Sequence, residues 1–179
     1  MATAGWPADE PHHSGWFVHA DFGAGYLRTT GSRGGSSFTT QGAAINVSLA
    51  LGWAPNEEWA IALEGMGWKS LSASGLGQNT SLELQALGLN VTRYFTPAGI
   101  FATVVVAGTR LAITADGDDA EIGSSDIGFG FKALLGKEWR IGPEFGFGLA
   151  GELVLSVNRE GGQTLRTLGA GLVLSWTLR

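Results

Sequence analysis

Apolar and polar residues alternate along most of this chain with a period of two. In the last segment Leu172, Leu174 and Trp176 share one face, while Gly171 and Ser175 share the other. Strict alternation over ten or more residues is a β-strand signal, and no helical stripe competes with it. The pattern predicts eight strands, at about 15–28, 41–54, 58–69, 81–95, 100–114, 126–137, 140–157 and 165–178.

The fourth segment is the least regular of the eight. Leu82 and Leu84 share one parity, whereas Leu87 and Leu89 share the other. A β-bulge inserts one extra residue into a strand, so that the side chains beyond it change face. We therefore expect a bulge near Ala86.

The connections between the segments also form a pattern. Short turns are predicted at 54–57, 96–99 and 137–140, and long polar loops at 29–40, 70–80, 115–125 and 158–164. An antiparallel meander with an even number of strands and both termini on one side produces this alternation. Because residues 1–14 contain two prolines among polar residues, we expect a flexible N-terminal arm there and a single domain over 15–179.

Composition narrows the class of protein. Charged residues make up 15% of the chain, against about 25% in an ordinary soluble domain. The net charge of -5 argues against nucleic-acid binding, which needs a basic surface. The chain has no cysteine, so a disulfide framework and thiolate chemistry are excluded. The opening residues show no secretory signal, and we expect a form from which a signal peptide has been removed.

The closing segment 169–178, GAGLVLSWTL, is similar to the terminal strand of the small eight-stranded outer-membrane β-barrel proteins of Gram-negative bacteria, the OmpX/OmpA-like type. The resemblance extends over about 165 residues, from 15 to 179, and elsewhere rests on the alternation. Proteins of this type usually end on an aromatic residue, whereas here Trp176 is followed by Thr177, Leu178 and Arg179.

This resemblance implies a fold, a location and a role. The fold is all-β, an eight-stranded antiparallel up-and-down transmembrane β-barrel. The location is the bacterial outer membrane, with the termini and short turns in the periplasm and the long loops outside. The role is structural or one of surface interaction, for a monomer that contacts outer-membrane lipid, reaches an envelope partner through its loops and is not an enzyme.

A soluble lipocalin-like ligand-binding barrel is the main structural alternative, because it is also an eight-stranded meander, with its apolar face inside. Two features favour the membrane barrel. The polar face is mostly Gly, Ala, Ser, Asn and Thr, and small residues of this kind fit inside a narrow eight-stranded barrel. Three lysines in the whole chain are too few for a barrel whose polar face is turned to water.

Aromatic residues cluster beside the predicted short turns and on the terminal strands. Tryptophan and tyrosine are enriched where a membrane meets water, so we expect one interface girdle on the short-turn side. Its predicted members are Trp16, Trp53, Trp59, Tyr94, Phe95, Phe101, Trp139 and Trp176. Trp68 has the parity of the lumen instead.

By parity the barrel lumen receives most of the charged strand residues. They are His19, Asp21, Glu64, Glu83, Arg110, Lys132, Glu144 and Glu152. Charges inside a narrow barrel must be paired or hydrated, and we expect Glu83 to lie level with Arg110 and Lys132 almost opposite Glu144. A salt-bridged plug is the structural hypothesis. The alternatives are a narrow passive channel that favours cations, because acids outnumber bases, and a carrier of a small apolar solute.

Few residues are candidates for chemistry. Outer-membrane barrel enzymes combine His with Ser or an acid, but His12 and His13 lie in the predicted arm, which offers no rigid frame. His19, two residues before Asp21, is interpreted as a hydrogen-bonded lumen residue. The acidic segment 116–121 matches no full calcium-loop pattern and is interpreted as a solvated charge cluster. We therefore predict no catalytic residue, no cofactor and no metal site.

Overall fold

The computed structural model describes residues 15–33, 36–70, 80–115, 121–142 and 144–179, and in these ranges the protein is built from β-strands. The strands are β1 (Gly15–Arg33), β2 (Ser36–Ala54), β3 (Trp59–Ser70), β4 (Thr80–Phe95), β5 (Ile100–Ala115), β6 (Glu121–Ser124), β7 (Gly128–Arg140), β8 (Phe145–Glu160) and β9 (Gln163–Leu178). The described part of the chain holds no helix with the length and apolar character that a membrane crossing requires.

The strands close into an eight-stranded antiparallel barrel, as the alternation predicted. With the exception of β6 and β7, strands that follow each other in the chain pair with each other, and β1 pairs with β9 to close the ring. The sixth position of the ring is shared by β6 and β7, which both pair with β5. Three residues, 125–127, face only two residues of β5 at this point, so a bulge separates the two pieces.

The bulge predicted near Ala86 is not present. The register of β3 with β4 runs without a shift from Trp59 opposite Arg93 to Lys69 opposite Glu83. Leu82 and Leu84 are buried and pack in an apolar cluster inside the barrel. Inward and outward positions therefore alternate without interruption along β4. Its apolar residues face outward near the short-turn end, as at Leu87 and Leu89, and inward near the long-loop end, as at Leu82 and Leu84.

Some connections differ from the predicted ones. The third short connection lies between Arg140 and Phe145, because β7 continues to Arg140 and β8 begins at Phe145. The predicted long loop 158–164 is a tight turn in which Gly161 and Gly162 have φ values of 55° and 81° between paired strands. The β1–β2 hairpin is also regular to Arg33 and from Ser36. The predicted arm 1–14 and most of the loop 70–80 lie outside the described residues.

Burial alternates along the strands, so that one face of each strand lines the lumen and the other forms the outer wall. The outer wall carries a continuous belt of large apolar residues, with Leu87, Leu89 and Leu172 each about 60% exposed or more. A soluble monomer rarely exposes a contiguous apolar surface of this extent. The lumen side holds the buried polar and charged residues. This arrangement, apolar outside and polar inside, is that of a barrel embedded in lipid and is opposite to the lipocalin-like alternative.

Candidate functional site

The centre of the lumen is occupied by Lys132, whose side chain is fully buried. Its Nζ donates to Glu64 Oε1 at 2.7 Å, to Ser48 Oγ at 3.0 Å and to Asp21 Oδ2 at 3.3 Å. Glu152 Oε2 lies 3.5 Å away and adds a third carboxylate. All three ammonium hydrogens thus have an acceptor, and strands from opposite sides of the barrel are joined at one point.

The carboxylates around Lys132 are held by further hydrogen bonds. Ser48 Oγ donates to Asp21 Oδ2 at 2.8 Å, and Trp68 Nε1 donates to Glu152 Oε1 at 2.8 Å. Asn90 Nδ2 donates to Glu64 Oε2. Because buried charges are tolerated only when paired and hydrogen-bonded, this second set of contacts is what allows an acid-rich cluster to form in the lumen.

A hydrogen-bonded row runs from this cluster towards the short-turn end. His19 Nε2 contacts Asp21 Oδ1 and its Nδ1 contacts Thr177 Oγ1, both at 2.9 Å. Thr177 in turn donates to Glu138 Oε2 at 2.6 Å. The Arg179 guanidinium lies 3.9 Å from Glu138 Oε1. The imidazole is therefore fixed at both nitrogens and links the central cluster to the short-turn end of the barrel.

The short-turn end of the lumen is filled by apolar and aromatic side chains. Phe17 stacks on His19 with ring centroids 5.9 Å apart, and Phe101 meets His19 edge-on at 6.0 Å. Tyr94 packs against Phe101 at 5.9 Å, and the Arg179 guanidinium covers the Tyr94 ring at 3.9 Å. These rings, together with buried alanines, form one apolar layer below the charges.

A second apolar layer lies above the charges, towards the opposite end. It is formed by Leu27, Leu84, Val105, Val154 and Trp68 with their buried neighbours. A cavity of about 50 Å³ opens above this layer and is lined by Phe38, Leu82, Leu111, Ile113 and Leu165, with several polar residues. From the short-turn end onward, the lumen therefore contains an apolar layer, the charged cluster, a second apolar layer and then the shallow cavity, which we call the mouth.

The structure brings together five of the eight residues that parity assigned to the lumen: His19, Asp21, Glu64, Lys132 and Glu152. The other three are elsewhere, so their placement in the lumen was wrong. Glu144 is exposed in the turn after β7, and the residue opposite Lys132 on β8 is Val154.

Glu83 lies on the outer wall between the inward-facing Leu82 and Leu84 of β4, and Arg110 lies on the outer wall of β5, where its two neighbours in the chain are buried. They share a level as expected, because Arg110 is opposite Gln85 and Glu83 is opposite Ala112. Glu83 bonds to Lys69 at 3.0 Å, and Arg110 donates to Ser124 Oγ at 2.9 Å. The parity rule failed here because these strand ends extend beyond the apolar belt, where a polar residue can face outward.

The predicted aromatic girdle is also corrected in part. Tyr94 and Phe101, which face each other across the β4–β5 pair, point into the lumen with exposures of 5% and 0%. Trp16, Trp53, Trp59, Phe95 and Trp139 are exposed on the outer wall, and Trp176 is half-buried against Phe147. The alternation along β4 and β5, and not the position beside a turn, decides where the side chains of Tyr94 and Phe101 point.

Sequence reasoning did not single out Ser48, Asn90, Glu138 or Arg179 as parts of the site. Ser48 and Asn90 have lumen parity, and so does Glu138 once β7 is extended to Arg140. The signal was therefore present for these three. The acidic segment 116–121 cannot be placed, since 116–120 lie outside the described residues.

The closed barrel, its apolar outer wall and its charged interior define an integral outer-membrane β-barrel protein. The chain is similar in structure to Neisserial surface protein A, with a TM-score of 0.61 at 12% identity over 93% of this chain and 98% of that one. It is also similar to the outer membrane protein AlkL, with a TM-score of 0.50 at 11% identity over 99% and 97% of the two chains. No family model and no curated protein matches the sequence.

Proposed function

We propose that this protein is a non-enzymatic outer-membrane barrel whose lumen is closed to ions and solutes, and which acts through its outer surface and its external hairpins. The observation that carries the proposal is the position of Lys132. Its ammonium group fills the centre of the lumen among Asp21, Glu64 and Glu152, and apolar layers lie on both sides. An ion would have to cross one apolar layer, displace this network and cross the second apolar layer. Each step is unfavourable for a charge in a low dielectric.

The external hairpins support a surface role. A transmembrane strand needs about 9–11 residues, whereas β1 and β2 have 19 each. Their paired upper parts, with Thr30, Ser32 and Thr39, therefore stand beyond the apolar belt as a regular, polar ribbon. We propose that the short turns lie in the periplasm and that this ribbon faces the cell exterior, where it contacts an envelope or surface partner.

Conductance tests the closed lumen. The purified protein, reconstituted in a planar lipid bilayer, is expected to give no steady current in 1 M KCl. The matched variants are Lys132→Ala, which opens space at the centre, and Lys137→Ala, which removes a lysine from the outer wall. Because both apolar layers remain in Lys132→Ala, we expect at most a weak cation-selective leak from this variant and no current from Lys137→Ala. A steady cation-selective current from the unchanged protein would establish the channel alternative instead.

The carrier alternative receives less support from the geometry. Ligand sites for small molecules usually enclose about 300–1,000 Å³, and the described residues leave about 50 Å³ at the mouth. This space is also separated from the short-turn end by the charged layer. A solute held there would have no path through the barrel.

A further inference from the structure

The apolar belt of the outer wall ends, at the long-loop end, in basic residues. Along β1, for example, Phe22 and Tyr26 face outward, and the next outward residue is Arg28. On four further strands, an outward-facing basic residue likewise stands at the long-loop end of the belt. We call these five residues the basic collar: Arg28 on β1, Lys69 on β3, Arg110 on β5, Arg159 on β8 and Arg166 on β9. They are five of the eleven basic residues of a chain whose net charge is -5.

Three members of the collar are neighbours on adjoining strands. Arg166 is opposite Thr30 on β1 and opposite Val157 on β8. Arg28 is opposite Leu168 and Arg159 is opposite Thr164, so Arg166 lies two positions along β9 from each of these partners. Diagonal neighbours of this kind stand about 7–8 Å apart. The three guanidinium groups can thus reach one ligand or two adjacent anionic groups.

The basic residues at the other end of the outer wall are differently placed. Arg93 lies 5.2 Å from the Trp59 ring and 5.0 Å from the Phe95 ring, and Lys137 lies 5.9 Å from the Trp139 ring. Among the described residues, Arg28, Arg159 and Arg166 form no ion pair or ring contact, even though Asp126 N bonds to the Arg159 carbonyl. Arg28, Arg159 and Arg166 therefore keep their donors available, whereas Arg93 and Lys137 at the short-turn end already contact aromatic rings.

We propose that Arg28, Arg159 and Arg166 form a binding site for the phosphate groups of an outer-leaflet glycolipid. Arginine binds phosphate oxygens through two parallel hydrogen bonds. The collar sits where the apolar belt stops, which is the level of lipid headgroups, so that a lipid whose acyl chains cover Tyr26 and Leu168 has its phosphates beside these guanidinium groups. The proposal rests on the orientation in the proposed function, with the long-loop end outside.

Lipid binding to the purified barrel in maltoside micelles tests this site. The probe is diphosphorylated lipid A, compared with the same lipid after removal of its phosphates and with phosphatidylglycerol, and native mass spectrometry measures the bound fraction. The variant R28Q/R166Q is expected to bind diphosphorylated lipid A about tenfold more weakly, because two charge-assisted contacts are lost. The control R93Q/K137Q removes the same charge from the other end and should stay within about twofold of the unchanged protein.

A variant that keeps the positive charges gives a second comparison, which stays informative even if R28Q/R166Q does not fold. R28K/R166K should fold, as judged by heat-modifiable gel migration, and should keep most of the binding, with a loss that grows as salt is added. Equal losses in R28Q/R166Q and R93Q/K137Q would overturn the proposal. So would undiminished binding of the dephosphorylated lipid, or equal binding of phosphatidylglycerol. A conducting lumen would contradict the proposed function and leave these results unchanged, since binding is measured on the outer wall.

Discussion

Lys132 is the residue on which the interior of this barrel depends most. Replacing Lys132 with methionine keeps a similar volume but leaves Asp21, Glu64 and Glu152 as buried carboxylates without their common cation. Removing one partner of a buried ion pair typically costs about 3–5 kcal/mol. We expect K132M to lower the free energy of unfolding in lipid vesicles by about that amount, measured by urea titration with tryptophan fluorescence.

Lys137 supplies the matched control for this prediction, since it is a lysine on the outer wall of the same strand. Its ammonium contacts the Trp139 ring, and K137M should change the free energy of unfolding by about 1 kcal/mol or less. If K132M and K137M were equally stable, the central charge network would not be a structural element of the barrel.

At the scale of single residues, the alternation in the sequence is sufficient to assign five charged or titratable residues to the lumen face: His19, Asp21, Glu64, Lys132 and Glu152. It could not supply their contacts, because strand pairing fixes the level of a residue but leaves side-chain direction open. The pairing of Lys132 with Glu64 crosses the lumen between β7 and β3, which are not neighbours in the ring. No pattern along one strand reports such a contact.

At the scale of elements, the turn between β8 and β9 shows how tightly a hairpin at the long-loop end is made. Gly162 has a φ of 81°, and a Cβ added there would meet no atom within 4 Å. Any cost of substitution is therefore conformational, and a β-branched residue in this region costs about 1–2 kcal/mol. We expect G162V to lower the free energy of unfolding by that amount and G162N to be nearly neutral.

Gly67 is the control for this turn. It lies in β3, has open space at its Cβ position and has no positive φ. G67V places a good strand former on the outer wall and should cause no loss of stability in the same urea titration. A comparable loss in G67V and G162V would mean that the turn conformation is not responsible.

The elements also show where prediction from sequence reached its limit. The eight strands were found because the belt in contact with lipid forces strict alternation. Above Arg28 the outer wall leaves the belt, and the rule that polar residues face the lumen no longer holds. That single physical change explains the false bulge near Ala86, the inward assignment of Glu83 and Arg110, and the predicted loops that are paired strands.

At the scale of the whole molecule, the apolar belt makes the cost of a charged residue on the outer wall depend on its depth in the membrane. Leu89 stands in the middle of the outward run of β4, whereas Leu178 lies at the short-turn boundary. Arginine on the lipid face costs about 2–4 kcal/mol at the middle of the membrane and about 0–1 kcal/mol near an interface. We expect L89R to lose the larger amount and L178R the smaller one when unfolding is measured in vesicles. Equal losses would contradict the assigned position of the belt.

Access of water to Lys132 tests the closed lumen most directly, and the absence of cysteine from the chain makes the measurement clean. Ser48 Oγ contacts the Lys132 ammonium, and Ala98 is exposed in the turn after β4. In micelles, which leave both barrel ends open to solvent, a small cationic methanethiosulfonate should label Ala98→Cys rapidly. It should label Ser48→Cys roughly a hundredfold more slowly, because the barrel must first open. Labelling of Ser48→Cys at the rate of Ala98→Cys would show a continuous aqueous path and contradict the closed lumen.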